Sequence, residues 1–197
     1  MESSTTENVV LWNNMCSRND IRSFEILFHK LNTKLIKFCV FYINNKEAAE
    51  EIVSDVFVRC WENRLTLAHI NDPSTYLFVA VKNGSLNYLK KYSQVHLVQI
   101  EDSHELVFVN SYDPVKALER KELHFILDRA IDCLPMQSKL IFRLIKEDGM
   151  RYKQVAEILN ISTRTVQTQL FRAIKKLTTT LVAHHIPSQH KAANAGN

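Results

Sequence analysis

Residues 152–176, YKQVAEILNISTRTVQTQLFRAIKK, have the clearest local pattern in the chain. Their apolar residues recur at spacings of three and four, which predicts two short helices joined by a three-residue turn. Asn160 falls in the turn, where Asn tolerates a positive φ better than most residues. Ser162 stands where the second helix needs an N-cap oxygen for its unpaired backbone N–H groups. The stretch is therefore typical of a helix-turn-helix, whose second helix can lie in a DNA major groove.

The second of these helices has an apolar side and an opposite, polar side when about 100° is allowed per residue. The residues expected to be buried are Val166, Leu170, Ala173 and Leu177. The residues expected to contact DNA are Arg164, Thr165, Gln167, Thr168, Phe171, Arg172 and Lys175, with Gln167 at the margin. An exposed Phe beside cations suits a thymine methyl group. The alternative is an ordinary amphipathic helix pair on a solvated surface.

Charge along the chain favours a nucleic-acid partner for this C-terminal region. Residues 151–176 hold six Lys/Arg against one Asp/Glu. Net charge is +1 over residues 1–94, −3 over residues 95–118 and +6 over residues 119–197, which together give the +4 of the whole chain. A basic segment of this kind is the electrostatic signature of nucleic-acid binding. A solvated basic face with no partner remains the alternative from charge alone.

Composition predicts an all-α protein. The chain has 197 residues, 46% of them hydrophobic, and only three Gly and four Pro, which favours long helices over strands and turns. The only strand-like piece is His96–Ile100. We expect two small helical domains joined by an acidic flexible linker, with the helix-turn-helix in the C-terminal domain. The expected parts are an N-terminal extension at 1–19, a first domain at 20–94, the linker at 95–116, a second domain at 117–183 and a tail at 184–197.

The sequence shows no signal for secretion, membrane insertion, disulfide bonds, metal binding or catalysis. The N-terminus lacks the basic and apolar regions of a signal peptide, and no apolar run approaches the length of a membrane span, so we expect a cytoplasmic protein without membrane insertion. Cys16, Cys39, Cys60 and Cys133 have no C-x-x-C spacing, which favours buried free thiols over disulfides or zinc. No catalytic, metal-binding or phosphate-binding motif occurs, so we expect no enzyme, no cofactor and no metal.

Periodicity predicts the helices that precede the helix-turn-helix. Asn44-Asn45 separates the first two of them, and Asn71-Asp72-Pro73 marks the turn before the third. Gly84 lies inside the third helix at a cost of about 1 kcal/mol relative to Ala. The helices predicted in this way are Asp20–Ile43, Lys46–Arg64, Pro73–Lys91, Pro114–Cys133 and Gln137–Glu147.

Three segments, in this order, resemble sigma factors of the extracytoplasmic-function type, which direct bacterial RNA polymerase to promoters. AAEEIVSDVFVRCW (Ala48–Trp61) resembles the helix that binds the β′ clamp of the polymerase. DPSTYLFVAVKNGSLNYLKK (Asp72–Lys91) resembles the segment that melts DNA and recognises the −10 element. Leu134–Leu177 resembles the domain that reads the −35 element. The resemblance identifies the first domain as sigma domain 2 and the second as sigma domain 4.

The resemblance and the residue types together suggest two further sets of site residues. The expected polymerase-binding residues are Glu51, Ser54, Asp55, Val58 and Arg59, whereas Phe57 and Trp61 are expected in the core. Ser54 stands where many relatives have Gln, and Asn160 where many have Gly. The expected −10 DNA-binding residues are Asn71, Asp72, Ser74, Tyr76, Lys82, Asn83, Asn87, Lys90 and Lys91. Amides can read base edges, Lys can bind phosphates, and the loop Ala68–Ser74 resembles a pocket for a flipped-out base.

The partners that the resemblance implies are core RNA polymerase, through its β′ clamp and β flap, promoter DNA and an anti-sigma factor. A stand-alone helix-turn-helix regulator that binds operators without polymerase is the main alternative. An all-helical enzyme with a fortuitous basic patch is a remote one. These readings differ in one respect that can be measured: only a sigma factor gives core polymerase its promoter selectivity.

Overall fold

The structure is a computed structural model that describes the backbone of residues 2–95 and 127–193, and the side chains of residues 6–92 and 127–182. Within these backbone ranges every regular element is a helix, which confirms the all-α prediction. The strand-like piece His96–Ile100 and the acidic segment that was predicted to be a flexible linker lie outside the described residues. The chain divides into two compact units, one with the N-terminal helices and one with most of the later ones.

The described residues of the N-terminal unit that precede position 96 form four α-helices and one 3₁₀ turn. Two positions confirm the predicted boundaries, since Asp20 and Asn45 serve as N-caps whose side chains accept hydrogen bonds from Arg22 N and Ala48 N. Asn44 ends the second helix with φ of 49°, in the left-handed region that Asn tolerates. The elements are α1 (Glu2–Arg18), α2 (Ile21–Ile43), α3 (Lys46–Glu62), the 3₁₀ turn (Arg64–Thr66) and α4 (Pro73–Val95).

The prediction of an N-terminal extension at residues 1–19 is wrong, because the described part of this segment packs into the N-terminal unit. Residues 2–18 form α1, whose Trp12 and Met15 side chains are completely buried. Glu7 of α1 also forms an ion pair with Lys30 of α2 at 2.6 Å. Burial of a Trp side chain contributes more apolar area than almost any other residue, so α1 is part of the core of the N-terminal unit.

Aromatic rings fill the contact between α2 and its neighbours. Phe38 of α2 meets Phe78 of α4 edge to face, with ring centroids 5.0 Å apart. Phe28 of α2 meets Phe57 of α3 in the same way at 4.9 Å. Edge-to-face pairs add about 0.5–1.5 kcal/mol to the free energy gained from burial alone. The apolar side of α2 therefore packs against both α3 and α4.

The C-terminal unit is built from shorter helices and one long one. Its described part begins with a helix whose residues 127–132 we label α5. The region predicted as one helix at Gln137–Glu147 is α6 (Met136–Phe142) followed by a π-helical turn (Arg143–Glu147). The helix-turn-helix pair is α7 (Tyr152–Leu159) and α8 (Thr163–Ala193). The backbone of α8 continues through the region that was expected to be a tail from residue 184.

The cysteines partly match their prediction. All four are free thiols, and Cys16, Cys39 and Cys60 are buried as expected. Cys133 is exposed, so the expectation of a buried thiol is wrong there. Cys133 lies immediately after α5, in the turn before α6. The described residues contain no group of three or more His, Cys, Asp or Glu that could hold a metal ion.

Candidate nucleic-acid and polymerase interfaces

The turn between α7 and α8 has the geometry that the sequence predicted. Asn160 adopts φ of 55°, and the Ile161 N–H donates to the Ala156 carbonyl at 3.0 Å. The Ser162 hydroxyl oxygen accepts a hydrogen bond from the Thr165 backbone N–H at 3.0 Å. Ser162 is therefore the N-cap of α8. The same hydroxyl lies 2.8 Å from Thr165 Oγ1, so Thr165, a predicted DNA contact, is also part of the cap.

One side of α8 is buried and the other is open to solvent, as the 3.6-residue period predicted. The four expected core residues, Val166, Leu170, Ala173 and Leu177, are all buried. Phe171 is 69% exposed, an unusual position for a Phe side chain. The other exposed residues on the predicted DNA side are Arg164, Gln167, Thr168, Arg172 and Lys175. We call these six exposed residues, with Phe171 included, the α8 face.

Polar contacts hold α8 against the preceding helices of its unit. The Ser138 hydroxyl of α6 donates to Gln169 Oε1 of α8 at 2.8 Å. Lys176 Nζ donates to the Cys133 carbonyl at 2.7 Å. Ala173 and Leu177 pack in one apolar cluster with Ala130, Ile131 and Leu134 of the α5 region. The α8 face is thus presented by a helix that is fixed on its opposite side.

The charge on the α8 face has one sign. Arg164, Arg172 and Lys175 are exposed, and residues 163–182 contain no Asp or Glu. Thr168 donates its hydroxyl hydrogen to the Arg164 carbonyl at 2.9 Å, which leaves its oxygen able to accept. Cations, hydroxyls, an amide and one exposed ring are the groups that read a DNA major groove and its phosphates.

A second surface lies on α3. The five residues predicted to bind polymerase, Glu51, Ser54, Asp55, Val58 and Arg59, are all exposed. Val58 is 53% exposed, and it lies between the acidic residues and Arg59 along the helix. Of the two rings expected in the core, Phe57 is buried, whereas Trp61 is half-buried. Trp61 packs against Phe24 with ring centroids 5.2 Å apart, and the Arg64 guanidinium lies 4.3 Å from the Trp61 ring centre.

Next to these residues is an apolar cavity of about 270 Å³ that the sequence analysis did not find. Ser54 and Val58 of α3 line it together with Phe24, Phe28 and His29 of α2. The residues of α2 were not singled out because they belong to the apolar stripe of that helix. Periodicity cannot separate a ring that fills the core from one at its open edge. The surface around Val58 is therefore formed by residues of both α2 and α3, and we call it the α3 surface.

A larger cavity of about 580 Å³ lies between α3 and α4. Asp55 and Arg59 line it from α3, and Asn83 and Asn87 line it from α4. Some members of the predicted polymerase-binding set and some members of the predicted −10 DNA-binding set therefore line the same groove. Asn83 and Asn87 are exposed, as are Lys90 and Lys91 further along α4, while Lys82 is half-buried. The four exposed residues form a polar strip along α4.

The residues at the start of α4 have structural contacts in addition to their predicted role. Asp72 Oδ1 accepts from the Thr75 N–H at 3.1 Å and Asp72 Oδ2 accepts from the Thr75 hydroxyl at 2.8 Å, so Asp72 caps α4. The Ser74 oxygen accepts a hydrogen bond from Asn8 Nδ2 at 3.0 Å. Tyr76 lies edge to face with Trp12 at 5.7 Å between centroids. Asn71 is exposed. Sequence reasoning missed Asn8 and Trp12 because neither belongs to a motif.

Comparison with protein-family models gives one match in the N-terminal part of the chain and one in the C-terminal part. The family model described as Sigma-70 region 2 matches residues 27–94, and the model described as Sigma-70, region 4 matches residues 124–177. The two ranges together cover more than half of the chain. The chain is a sigma factor of the extracytoplasmic-function type. It directs the initiation of transcription, and the stand-alone regulator is not favoured because regions 2 and 4 are both present.

Individual relatives agree with this family assignment. The RNA polymerase sigma-H factor of Pseudomonas aeruginosa is 22% identical over 168 residues, which are 79% of this chain and 84% of that protein. The ECF RNA polymerase sigma-E factor of Escherichia coli is 22% identical over 163 residues, which are 79% of this chain and 85% of that protein.

Two solved structures have a similar fold. The sigma factor RpoE of Bartonella quintana, solved with the anti-sigma factor NepR, gives a TM-score of 0.58 at 18% identity and covers 81% of this chain and 97% of its own. CnrH, solved in complex with the cytosolic domain of CnrY, gives a TM-score of 0.56 at 17% identity and covers 90% of this chain and 98% of its own.

Proposed function

We propose that this sigma factor binds core RNA polymerase through α3 and reads two promoter elements with separate surfaces. The single observation that carries the proposal is the α8 face, where six polar or aromatic side chains are exposed opposite four buried apolar ones. A helix with this division, after a capped three-residue turn, fits the major groove of DNA. In the proposal, Arg172 and its neighbours on α8 read the −35 element, with Thr165 at the capped end.

The −10 element is assigned to the exposed strip of α4 and to the segment before it. Asn83 and Asn87 supply amides that can hydrogen bond to base edges, and Lys90 and Lys91 supply charge for phosphates. Unstacked bases need aromatic or polar surfaces to rest on, and Tyr76 is the ring closest to the proposed pocket. Asn71, Asp72 and Ser74 border that pocket, with Asp72 in a mainly structural role because both its oxygens cap α4.

The polymerase contact is assigned to the exposed side of α3 and the neighbouring apolar cavity. Glu51, Ser54, Asp55 and Arg59 surround Val58, so an apolar centre is bordered by charge, as in many protein interfaces. The cavity of about 270 Å³ beside Val58 can receive one apolar side chain of the β′ clamp. The β flap is the expected partner of the C-terminal unit.

Regulation and location follow from the family in the same proposal. Sigma factors are transcription initiation factors and not enzymes, and we propose that this one acts in the cytoplasm, where RNA polymerase is found. No helix in the described parts of the chain combines the length and apolar character that a bilayer crossing requires. Because a relative of similar fold was solved with an anti-sigma factor, we propose an anti-sigma factor here too, covering the α3 surface.

Transcription with purified components tests the proposal. The chain is mixed with core RNA polymerase and fragments of genomic DNA, and the 5′ ends of the transcripts are mapped. We expect a set of discrete start sites that is absent with core polymerase alone and that shares two sequence elements upstream. Transcripts with the same scattered 5′ ends in both reactions would exclude a function in promoter selection.

A further inference from the structure

Helix α1 and Asn19, the residue after it, contact the segment between α3 and α4 and the start of α4 at three separate points. We call residues 63–74, which include the first two residues of α4, the α3–α4 connection. Asn19, just after α1, accepts from Arg64 Nε through its side-chain oxygen at 2.5 Å. The Trp12 indole N–H donates to the Leu67 carbonyl at 3.0 Å. Asn8 Nδ2 donates to Ser74 Oγ at 3.0 Å. The residue numbers of the three contacts fall in the α1 region as they rise in the connection, so the two segments are antiparallel and lie side by side from residue 64 to residue 74.

The contact at Ser74 determines how its hydroxyl can be used. Ser74 Oγ accepts the Asn8 hydrogen bond, so the hydroxyl hydrogen remains available to donate to another group. Ser74 is half-buried, whereas Asn8 is only 5% exposed and cannot itself meet a ligand from solvent. In the described part of the chain, Asn8 Oδ1 is buried without a hydrogen-bond partner.

The contact at Trp12 fixes the middle of the connection. The indole N–H can only donate, and its partner is a backbone carbonyl outside any α-helix, so this bond constrains the main chain at Leu67. The same ring packs edge to face against Tyr76, in the first turn of α4. Trp12 is completely buried, so its position is set by the core of the N-terminal unit. The Trp12 side chain therefore contacts Leu67 and Tyr76, which lie on either side of the proposed base pocket in the sequence.

We propose that Asn8 and Trp12 are positioning residues for the capture of a flipped-out promoter base, and that Ser74 donates its hydroxyl hydrogen to an acceptor atom of that base. The inference rests on the proposed −10 function of this segment. A rigid, pre-formed pocket loses less conformational entropy when a base enters it, so more of the contact energy offsets the unstacking of that base. Without the contacts from α1, the α3–α4 connection would lose conformational entropy when it becomes ordered on DNA, and this cost would weaken binding.

Single-stranded DNA that carries the −10 sequence of a mapped promoter is the probe. Each position in turn is given either its base or an abasic site, and the affinity of the holoenzyme is measured for each pair. Loss of the captured base should weaken binding by the wild-type holoenzyme about 5- to 150-fold, as expected for a stacked base. We call the affinity for the intact strand divided by the affinity for the strand with the abasic site the base-dependence ratio. Asn8→Ala should reduce this ratio about two- to tenfold and leave the affinity for the abasic strand unchanged.

The double variant distinguishes positioning from a general loss of stability. If Asn8 acts through the Ser74 hydroxyl, Asn8→Ala combined with Ser74→Ala should lower the ratio no further than Ser74→Ala alone. A double effect equal to the product of the two single effects would overturn the inference. Asn13→Ala, at an exposed position of α1, is the matched control and should leave the ratio unchanged.

Other outcomes are also decisive. If Asn8→Ala does not fold, Trp12→Phe is the second variant. It keeps an aromatic ring next to Tyr76, removes the indole N–H donor together with part of the ring, and should lower the same ratio. An unchanged ratio in a folded Trp12→Phe variant would contradict the role of Trp12. A wild-type holoenzyme that initiates at discrete promoters but has no position with a base-dependent affinity would exclude base capture and leave the sigma-factor function intact.

Discussion

Gly84 of α4 and Ile52 of α3 meet so closely that a Cβ atom added to Gly84 would lie 2.8 Å from Ile52 Cγ2. Such a distance is below van der Waals contact, and Cγ2 is attached directly to the stiff, β-branched Cβ of Ile52, so it cannot move aside freely. The sequence alone gives Gly84 only a cost, since Gly disfavours a helix interior. The structure supplies the reason for it, which is the close approach of α3 and α4 beside their shared groove.

Gly84→Ala should therefore destabilise the protein although Ala is the better helix former. The gain of about 1 kcal/mol in helix propensity is opposed by an overpacking cost of about 1–3 kcal/mol. We expect a lower midpoint in urea unfolding followed by circular dichroism. Combining it with Ile52→Ala, which removes the opposing methyl group, should cost less than the sum of the two single changes. Additive effects would mean that the two residues do not clash.

Ser162→Ala should weaken the start of α8. The Ser162 hydroxyl caps the Thr165 N–H, and loss of an N-cap typically costs about 1 kcal/mol of unfolding free energy. Ser162→Asn, which restores a capping oxygen, is the matched control and should retain most of the stability. Thermal unfolding of the three proteins measures this. Equal destabilisation by Asn and Ala would argue against the capping role.

Arg172→Ala should reduce transcription from promoters that depend on a −35 element. Loss of one base-reading Arg costs about 1–3 kcal/mol of discrimination, or about 5- to 150-fold in relative affinity. Lys37→Ala removes one positive charge from an exposed position of α2 and serves as the matched control. Competition between promoters that differ only in the −35 element is the measurement. Equal loss of activity on both promoters would place Arg172 outside the groove.

Alkaline pH should destabilise the N-terminal unit. Burial, with a smaller contribution from the nearby Cys16 thiol, raises the pKa of the Cys60 thiol from its ordinary value of 9.0 to about 12. Burial also raises the pKa of Tyr42 from 10.0 to about 12. Both groups bind their protons more tightly when folded, so stability is complete below about pH 9 and is lost as pH rises towards 12.

Urea unfolding at a series of pH values checks this dependence. Cys60→Val, which is similar in volume and cannot ionise, should show a smaller decrease in unfolding free energy above pH 9 than the wild type. An identical pH dependence in the two proteins would mean that Cys60 makes no contribution to it.

Helix periodicity accounts for most of what could be foreseen about the fold. Val166, Leu170, Ala173 and Leu177 repeat every three or four residues, so the buried side of α8 could be read directly from the sequence. Helix α1 was missed because its apolar residues, among them Leu11, Trp12 and Met15, are interrupted by three Asn residues, which are poor helix formers.

Contacts between distant residues account for most of what could not be foreseen about the site. Asn8 and Ser74 are 66 residues apart in the sequence, and no spacing rule connects them. The shared groove between Asp55 and Asn83 likewise depends on how α3 packs against α4. Residue types and motifs identified each exposed helix face, but only the fold determines which faces border the same cavity.

The decisive measurement is the affinity for one mapped promoter, determined at a single salt concentration for the free chain, for core polymerase and for their complex. Two separate surfaces that act only when polymerase carries them predict specific binding by the complex and weak, sequence-independent binding by the free chain. Specific binding by the free chain that is as tight as binding by the complex would contradict the account.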